Sequence, residues 1–91
     1  MYTPVFLNSF KKDYKLSGKR GLAIADLDTV LTELINGNEL PLKYKNHKLK
    51  GNYKDCLECH IRPDWLLIYR IDETDNSITF IRTGSHSDLF K

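Results

Sequence analysis

The chain has 91 residues, of which 41% are hydrophobic and 29% are charged, and it carries a net charge of +2. A chain of this length is expected to form one domain, residues 1–91, because two cores would each be too small to persist. No apolar run approaches the ~20 residues that a membrane span needs, and the N-terminus lacks the pattern of a signal peptide. The sequence therefore predicts a globular cytoplasmic protein with reduced cysteines and no membrane partner.

The first part of the chain predicts a strand followed by two helices. Residues 2–7 are β-prone and contain a proline, which is typical of an edge strand. A helix is expected next, with Asn8 or Ser9 as its N-cap. Apolar residues at helical spacing over 24–35 predict a second amphipathic helix, and the Asn-Gly-Asn at 36–38 ends it.

The rest of the chain predicts a connection and three strands. Residues 39–52 are rich in lysine and indicate the connection. Alternating polarity over 53–61 predicts a half-buried strand with His60 on its polar face. The nearly continuous apolar run at 65–71 predicts a central strand that is buried on both faces. Residues 78–82 predict the last strand, and only a terminal turn is expected after it.

These elements predict an α+β fold in the order β-α-α-β-β-β. Two helices are expected to pack on one face of a mainly antiparallel sheet. The other face is left for a partner or a substrate, and His60 lies on that face.

The three histidines of the chain, His47, His60 and His86, are candidates for acid–base chemistry. Histidine exchanges protons near neutral pH, so a sheet that brings the three together would be equipped for proton transfer. The alternative is that each is an isolated surface histidine.

Three further residues have both a structural and a functional interpretation. Asp64 is either an ordinary turn residue or a carboxylate that orients an imidazole. Arg82 either ends an edge strand or clamps a phosphate, although its parity with Ile78 and Phe80 argues against exposure unless the strand end bends. Phe90 either packs on the domain or stacks on a base.

The segment Cys56-Leu-Glu-Cys59-His60 fits the pattern of c-type haem attachment. In a strand, residues three apart face opposite sides, so both cysteines could not reach one haem. A closed zinc site would need a fourth ligand. We therefore expect no metal and no cofactor.

Residues 40–54 contain five lysines and no acid. Clustered lysines attract phosphate-bearing partners, although a solvated surface would have the same composition. The candidates for RNA or ribosome binding are Lys43, Lys45, Lys48, Lys50 and Lys54.

Three sequence blocks between residues 40 and 90 carry a family resemblance. They are Pro41-Leu42 with Tyr44-Lys-Asn-His-Lys-Leu-Lys-Gly51, then His60-Ile-Arg-Pro-Asp-Trp-Leu-Leu-Ile-Tyr69, and last Arg82-Thr-Gly-Ser-His-Ser-Asp-Leu-Phe90. In this order and spacing they resemble the YafQ branch of the RelE/ParE toxin superfamily. The resemblance implies a RelE-like fold and a toxin of a type II toxin–antitoxin system. It also implies a ribosome-dependent endoribonuclease that cuts mRNA without a metal and is blocked by a cognate antitoxin.

The resemblance also implies roles for individual residues. The family's functional positions coincide with His47, His60, Asp64, Arg82, His86 and Phe90. His86 is the implied general acid and His60, tuned by Asp64, the general base, although the two labels could be exchanged. His47 would assist, and the five lysines would contact ribosomal RNA.

Two other functions remain open at this point. A ParE-like toxin would inhibit a protein target such as DNA gyrase without cutting RNA, but such an inhibitor has no need of the histidine set. A plain RNA-binding domain would usually show a paired platform of exposed aromatics, which the predicted sheet lacks. An antitoxin gene directly upstream would favour either toxin over this last alternative.

Overall fold

The computed structural model describes residues 1–90, which form five strands and three helices. The elements are β1 (Thr3–Phe6), α1 (Asn8–Lys19), α2 (Ile24–Ile35), β2 (His47–Lys48), β3 (Leu57–Arg62), β4 (Trp65–Asp72), β5 (Ser77–Gly84) and α3 (His86–Leu89). The predicted α+β order is confirmed. The structure adds the two-residue strand β2 within the lysine-rich connection and the one-turn helix α3. No helix among residues 1–90 is long and apolar enough to cross a membrane.

The five strands form one mixed sheet in the order β1-β5-β4-β3-β2. Strand β1 runs parallel to β5, whereas the other neighbouring pairs are antiparallel. Strand β4 is central, and its residues 65–69 are all buried, as the apolar run predicts. The proline-containing β1 lies at one edge, which is also as predicted.

Helices α1 and α2 cover one face of the sheet. The helices contribute Phe10, Leu27, Val30, Leu31 and Leu34, and the strands contribute Cys59, Ile61, Trp65, Leu67, Tyr69, Ile78 and Phe80. Removing these side chains from water is the main favourable term in folding. This core fixes the sheet and leaves the opposite face of β3 to Glu58 and His60.

The opposite face carries a smaller apolar cluster of Cys56, Leu66, Ile68 and Leu89. Leu89 belongs to α3, so this cluster seats the C-terminal helix on the sheet. Cys56 and Cys59 lie in different clusters on opposite faces, as expected from their spacing. The two thiols therefore cannot both attach to one haem.

A β-bulge in β5 decides where Arg82 lies. Tyr69 pairs with Phe80 and Ile68 pairs with Arg82, so Ile81 is the extra residue. The insertion moves Arg82 to the face opposite Phe80. This bulge is the bend at the strand end that the sequence analysis required for Arg82 to be exposed.

The predicted cap of α1 is wrong. The N-cap is Leu7, which makes no side-chain capping bond, and the helix begins at Asn8. Ser9 instead donates its hydroxyl hydrogen to the carbonyl oxygen of Ile81 at 2.7 Å. It thereby satisfies a backbone group at the bulge, which competes with capping.

Candidate active site

The structure brings the three histidines into a row on the sheet face opposite α1 and α2. His47 comes from β2, His60 from β3 and His86 from the start of α3. The imidazole centres lie 6.1 Å apart for His47 and His60, and 5.8 Å apart for His60 and His86. A phosphate group placed along this row could contact more than one imidazole.

Glu58 is a central residue of the row that the sequence analysis assigned no role. It is only 4% exposed, and its Oε1 lies 3.3 Å from Nε2 of His47 and 3.2 Å from Nε2 of His60. It pairs with His47 across β2 and β3, and alternation places it on the same face as His60. Buried carboxylates are normally paired, and here two imidazoles supply the pairing.

His47 has acceptors on both sides of its ring. Its Nδ1 lies 2.7 Å from the carbonyl oxygen of Lys45, and its Nε2 faces the carboxylate of Glu58. These two contacts fix the orientation of the ring at one end of the row.

Asp64 contacts His86 and not His60, so the expected pairing with His60 is wrong. Its Oδ1 accepts hydrogen bonds from the backbone N–H of His86 at 2.9 Å and from Nδ1 at 2.6 Å. These bonds stabilise the ionised carboxylate and lower the pKa of Asp64. They also leave Nε2 of His86 as the nitrogen free for substrate.

A cap and an ion pair hold His86 at the start of α3. Ser85 and Asp88 form a capping box, with N–O distances of 3.0 Å and 3.1 Å. Arg20, just beyond the end of α1, donates from Nη1 to Asp88 at 2.8 Å. These interactions strongly lower the pKa of Asp88, first through the hydrogen bond from Arg20. Neither Arg20 nor Asp88 was anticipated, although Ser-x-x-Asp is a recognisable capping pattern.

Arg82 of β5 lies two strands away from Glu58 and is held by Asp13 of α1. Its Nε and Nη2 donate to the Asp13 carboxylate at 2.6 Å and 3.2 Å. The same carboxylate accepts from the backbone N–H of Thr83 at 3.1 Å. The hydrogen bonds to Asp13 raise the pKa of Arg82 further, so its guanidinium stays charged.

Phe90 packs on the domain and remains partly exposed. Its ring lies edge-on to Tyr53 at 5.7 Å and tilted to His86 at 6.4 Å. The side chain is 43% exposed, so one part of the ring is held by the protein and another is open. Such a ring can contact a base next to His86.

The five candidate lysines, Lys43, Lys45, Lys48, Lys50 and Lys54, are all exposed. Among residues 1–90, one group of side chains could hold a metal ion, and it consists of His47, Glu58 and His60. Their ligand atoms lie within 4.8 Å of one another. Imidazole and carboxylate donors suit zinc and copper, so the residues fit such an ion chemically.

Comparisons with known proteins show what the chain is similar to. The family model described as YafQ, a bacterial toxin of type II toxin–antitoxin systems, matches residues 2–91. The chain is 41% identical over 86 residues to the mRNA interferase toxin YafQ of Escherichia coli strain K12, a match that covers 93% of this chain and 91% of that protein.

Solved structures agree with this match. The crystal structure of the E. coli DinJ–YafQ complex matches with a TM-score of 0.92 and 36% identity, covering 100% of both chains. A metal-bound toxin from Helicobacter pylori matches with a TM-score of 0.92 and 42% identity, covering 99% of this chain and 100% of that one. The ParE-like alternative finds no support among these proteins.

Proposed function

Because the chain belongs to the YafQ family of bacterial toxins of type II toxin–antitoxin systems, we propose that it is an endoribonuclease that cuts mRNA on the ribosome and is blocked by an antitoxin. The row of three imidazoles with two supporting carboxylates carries the proposal. The E. coli relative is named an mRNA interferase, and a similar structure is a complex with DinJ. A protein acting on translated mRNA works in the cytoplasm, which agrees with the expected location.

The proposed reaction needs two proton transfers. The ribose 2′-oxygen loses its proton to a base and bonds to the adjacent phosphorus. The bond from phosphorus to the 5′-oxygen breaks, and an acid supplies the proton that this oxygen takes up. The products are a 2′,3′-cyclic phosphate and a 5′-hydroxyl. A positioned acid and a positioned base each contribute a factor of ~100 to 10,000 in rate.

His60 is the proposed general base, and Glu58 supports it. The contact between Nε2 of His60 and Oε1 of Glu58, at 3.2 Å, leaves Nδ1 as the nitrogen that can accept a proton. The carboxylate then stabilises the imidazolium that forms. Glu58 therefore takes the supporting role that the sequence analysis gave to Asp64.

His86 is the proposed general acid. Asp64 holds its Nδ1 at 2.6 Å, while Nε2 remains free to deliver a proton to the leaving 5′-oxygen. Arg82 faces the developing phosphate charge with the nitrogen that Asp13 does not use. Phe90 contacts the base of a nucleotide beside His86.

We propose that turnover needs no resident metal, because the acid, the base and the cation are all side chains. A zinc or copper ion on His47, Glu58 and His60 would occupy the proposed general base and the carboxylate that supports it. A chelator selective for these ions, which leaves the magnesium of the ribosome in place, is expected to leave cleavage unchanged. Loss of cleavage that returns with added zinc would contradict metal independence.

The test is cleavage of a defined mRNA in a bacterial translation extract, mapped by primer extension. The wild-type protein is expected to cut at discrete codons, and His86→Ala and His60→Ala are expected to lose at least ~100-fold in single-turnover rate. Tyr14→Phe is the control, because it removes a hydrogen bond to Asp28 between α1 and α2 without touching the row. An intact message with the wild-type protein would refute the proposed function.

A separate variant tests whether Glu58 supports the general base. Glu58→Gln keeps the size of the side chain but removes its charge, and we expect about a 10- to 100-fold loss in cleavage rate. Asp55→Asn is its control, since Asp55 is an exposed acid in the same segment. Equal activity of the two variants would show that Glu58 does not support the base.

A further inference from the structure

A groove of about 460 Å³ opens beside the general base. Its walls include His60, Arg62, Lys43, Lys45 and Asp26. A volume of this size lies within the range of small-molecule sites and can accommodate a nucleotide. His60 and Ile61 alternate between the two faces of β3, and β2 pairs only with residues 57 and 58 of that strand. The groove therefore lies at the edge of β3, between the histidine row and the helix face that carries Asp26.

The walls of the groove are positively charged. Lys43, Lys45 and Arg62 supply three cations, and Asp26 is the one carboxylate among the described residues of the lining. Asp26 is already paired with Arg62, whose Nε donates to it at 3.0 Å. The lining therefore keeps a surplus of positive charge, which favours an anionic ligand.

The backbone fixes the two lysines at this place. A single 3-10 turn at Leu42–Tyr44 ends at Lys45 in a left-handed conformation, with φ of 48°. The ring of Tyr44 packs against the helix-side core, and Nζ of Lys43 lies 5.1 Å from the centre of that ring. The carbonyl oxygen of Lys45 also holds His47, so the groove and the histidine row share a segment.

We propose that this groove binds the phosphate of the mRNA nucleotide next to the one that is cut. The inference rests on the proposed function and divides the lysine cluster into two groups. Lys43 and Lys45 contact the substrate strand, whereas Lys48, Lys50 and Lys54 do not line the groove. Phosphate contacts fix the register of a nucleic acid on a protein, so the groove places the scissile phosphate against the row.

Two double variants test the proposal at equal change of charge. Lys43→Ala/Lys45→Ala empties the groove of its lysines, and Lys48→Ala/Lys50→Ala removes the same charge from the same segment outside it. The probe is a single-stranded hexanucleotide with 2′-O-methyl riboses, which cannot be cut, and binding is followed by fluorescence anisotropy without ribosomes. We expect the groove variant to bind about tenfold more weakly than the control variant at equal salt.

A shorter probe separates the groove from general attraction. A dinucleotide has a single phosphodiester, which the histidine row occupies, so the two double variants are expected to bind it equally. Asp26→Asn frees Arg62 and is expected to tighten hexanucleotide binding about threefold. A variant that merely unfolds cannot bind more tightly, so this gain is not explained by loss of structure.

Three outcomes would overturn the proposal. They are equal loss in both double variants with the hexanucleotide, a difference that persists with the dinucleotide, and wild-type binding no tighter than that of the groove variant. These outcomes concern the groove alone. Failure of the proposed function would instead appear as uncut mRNA with the wild-type protein in the translation extract.

Discussion

Asp88 is expected to control activity through the docking of α3, which carries His86. It accepts a hydrogen bond from the backbone of Ser85 and pairs with Arg20 at 2.8 Å. Losing the hydrogen bond from the Ser85 N–H costs about 1 kcal/mol, and a partly exposed ion pair contributes about 0.5 kcal/mol. Asp88→Ala is therefore expected to weaken docking by about 1.5 kcal/mol and Arg20→Ala by about 0.5 kcal/mol.

These energies translate into activity if the undocked helix is inactive. Because ~1.4 kcal/mol changes an equilibrium constant tenfold, single-turnover cleavage is expected to fall up to about tenfold for Asp88→Ala and about twofold for Arg20→Ala. Adding Arg20→Ala to Asp88→Ala is expected to cost nothing further, because the ion pair is already lost. Tyr14→Phe, which removes an exposed hydrogen bond on α1, is the matched control.

Hydrogen exchange distinguishes local undocking from general loss of stability. The amides of Leu89 and Phe90 bond to the carbonyl oxygens of Ser85 and His86 at 3.1 Å and 2.8 Å. We expect these amides to exchange faster in Asp88→Ala while the amides of β4 keep their protection. Activity that falls without faster exchange at α3, or an Arg20→Ala defect larger than that of Asp88→Ala, would refute this reasoning.

Three further predictions concern stability and reactivity. Leu67 is fully buried, so Leu67→Ala is expected to lower the free energy of unfolding, measured with urea, by about 2–5 kcal/mol. A loss below about 1 kcal/mol would contradict the observed packing. The hydrogen bonds from His86 lower the pKa of Asp64, so this stabilisation is complete above the unfolded value of about 3.9 and is lost as pH falls through the lower folded value. Asp64→Asn is therefore expected to lose less stability than the wild-type protein on acidification below about pH 4, as urea midpoints would show. Burial raises the pKa of Cys59 to about 12, so we expect iodoacetamide to label it at pH 8 only after unfolding.

Periodicity made much of the fold predictable from the sequence. The apolar stripe over 24–35 coincides with α2, and the run at 65–71 falls within the central strand β4. Alternation also placed His60 on the face opposite the helices. These features depend on a repeated pattern that many residues share, so a single sequence is sufficient to reveal them.

Features that depend on register were not predictable in the same way. Strand β2 has two residues, too few for any period, yet its pairing with β3 brings His47 beside Glu58. The bulge at Ile81 adds one residue to β5 and reverses the face of Arg82. Asp64 was assigned to the wrong histidine because its partner lies 22 residues away and is placed by α3. Each of these contacts is set by tertiary pairing, which leaves no local repeat in the sequence.

The three histidines therefore reach their positions by three different physical means. His47 is placed by strand pairing, His60 by alternation along a buried strand, and His86 by a helix cap that an ion pair supports. The strand pairing that places His47 and the helix cap that places His86 both lie outside the helix-side core. Activity and stability are therefore expected to respond to different substitutions. Changes around Asp88 are expected to move His86 relative to His60 while the core remains intact, whereas changes in the core lower stability before they move the row.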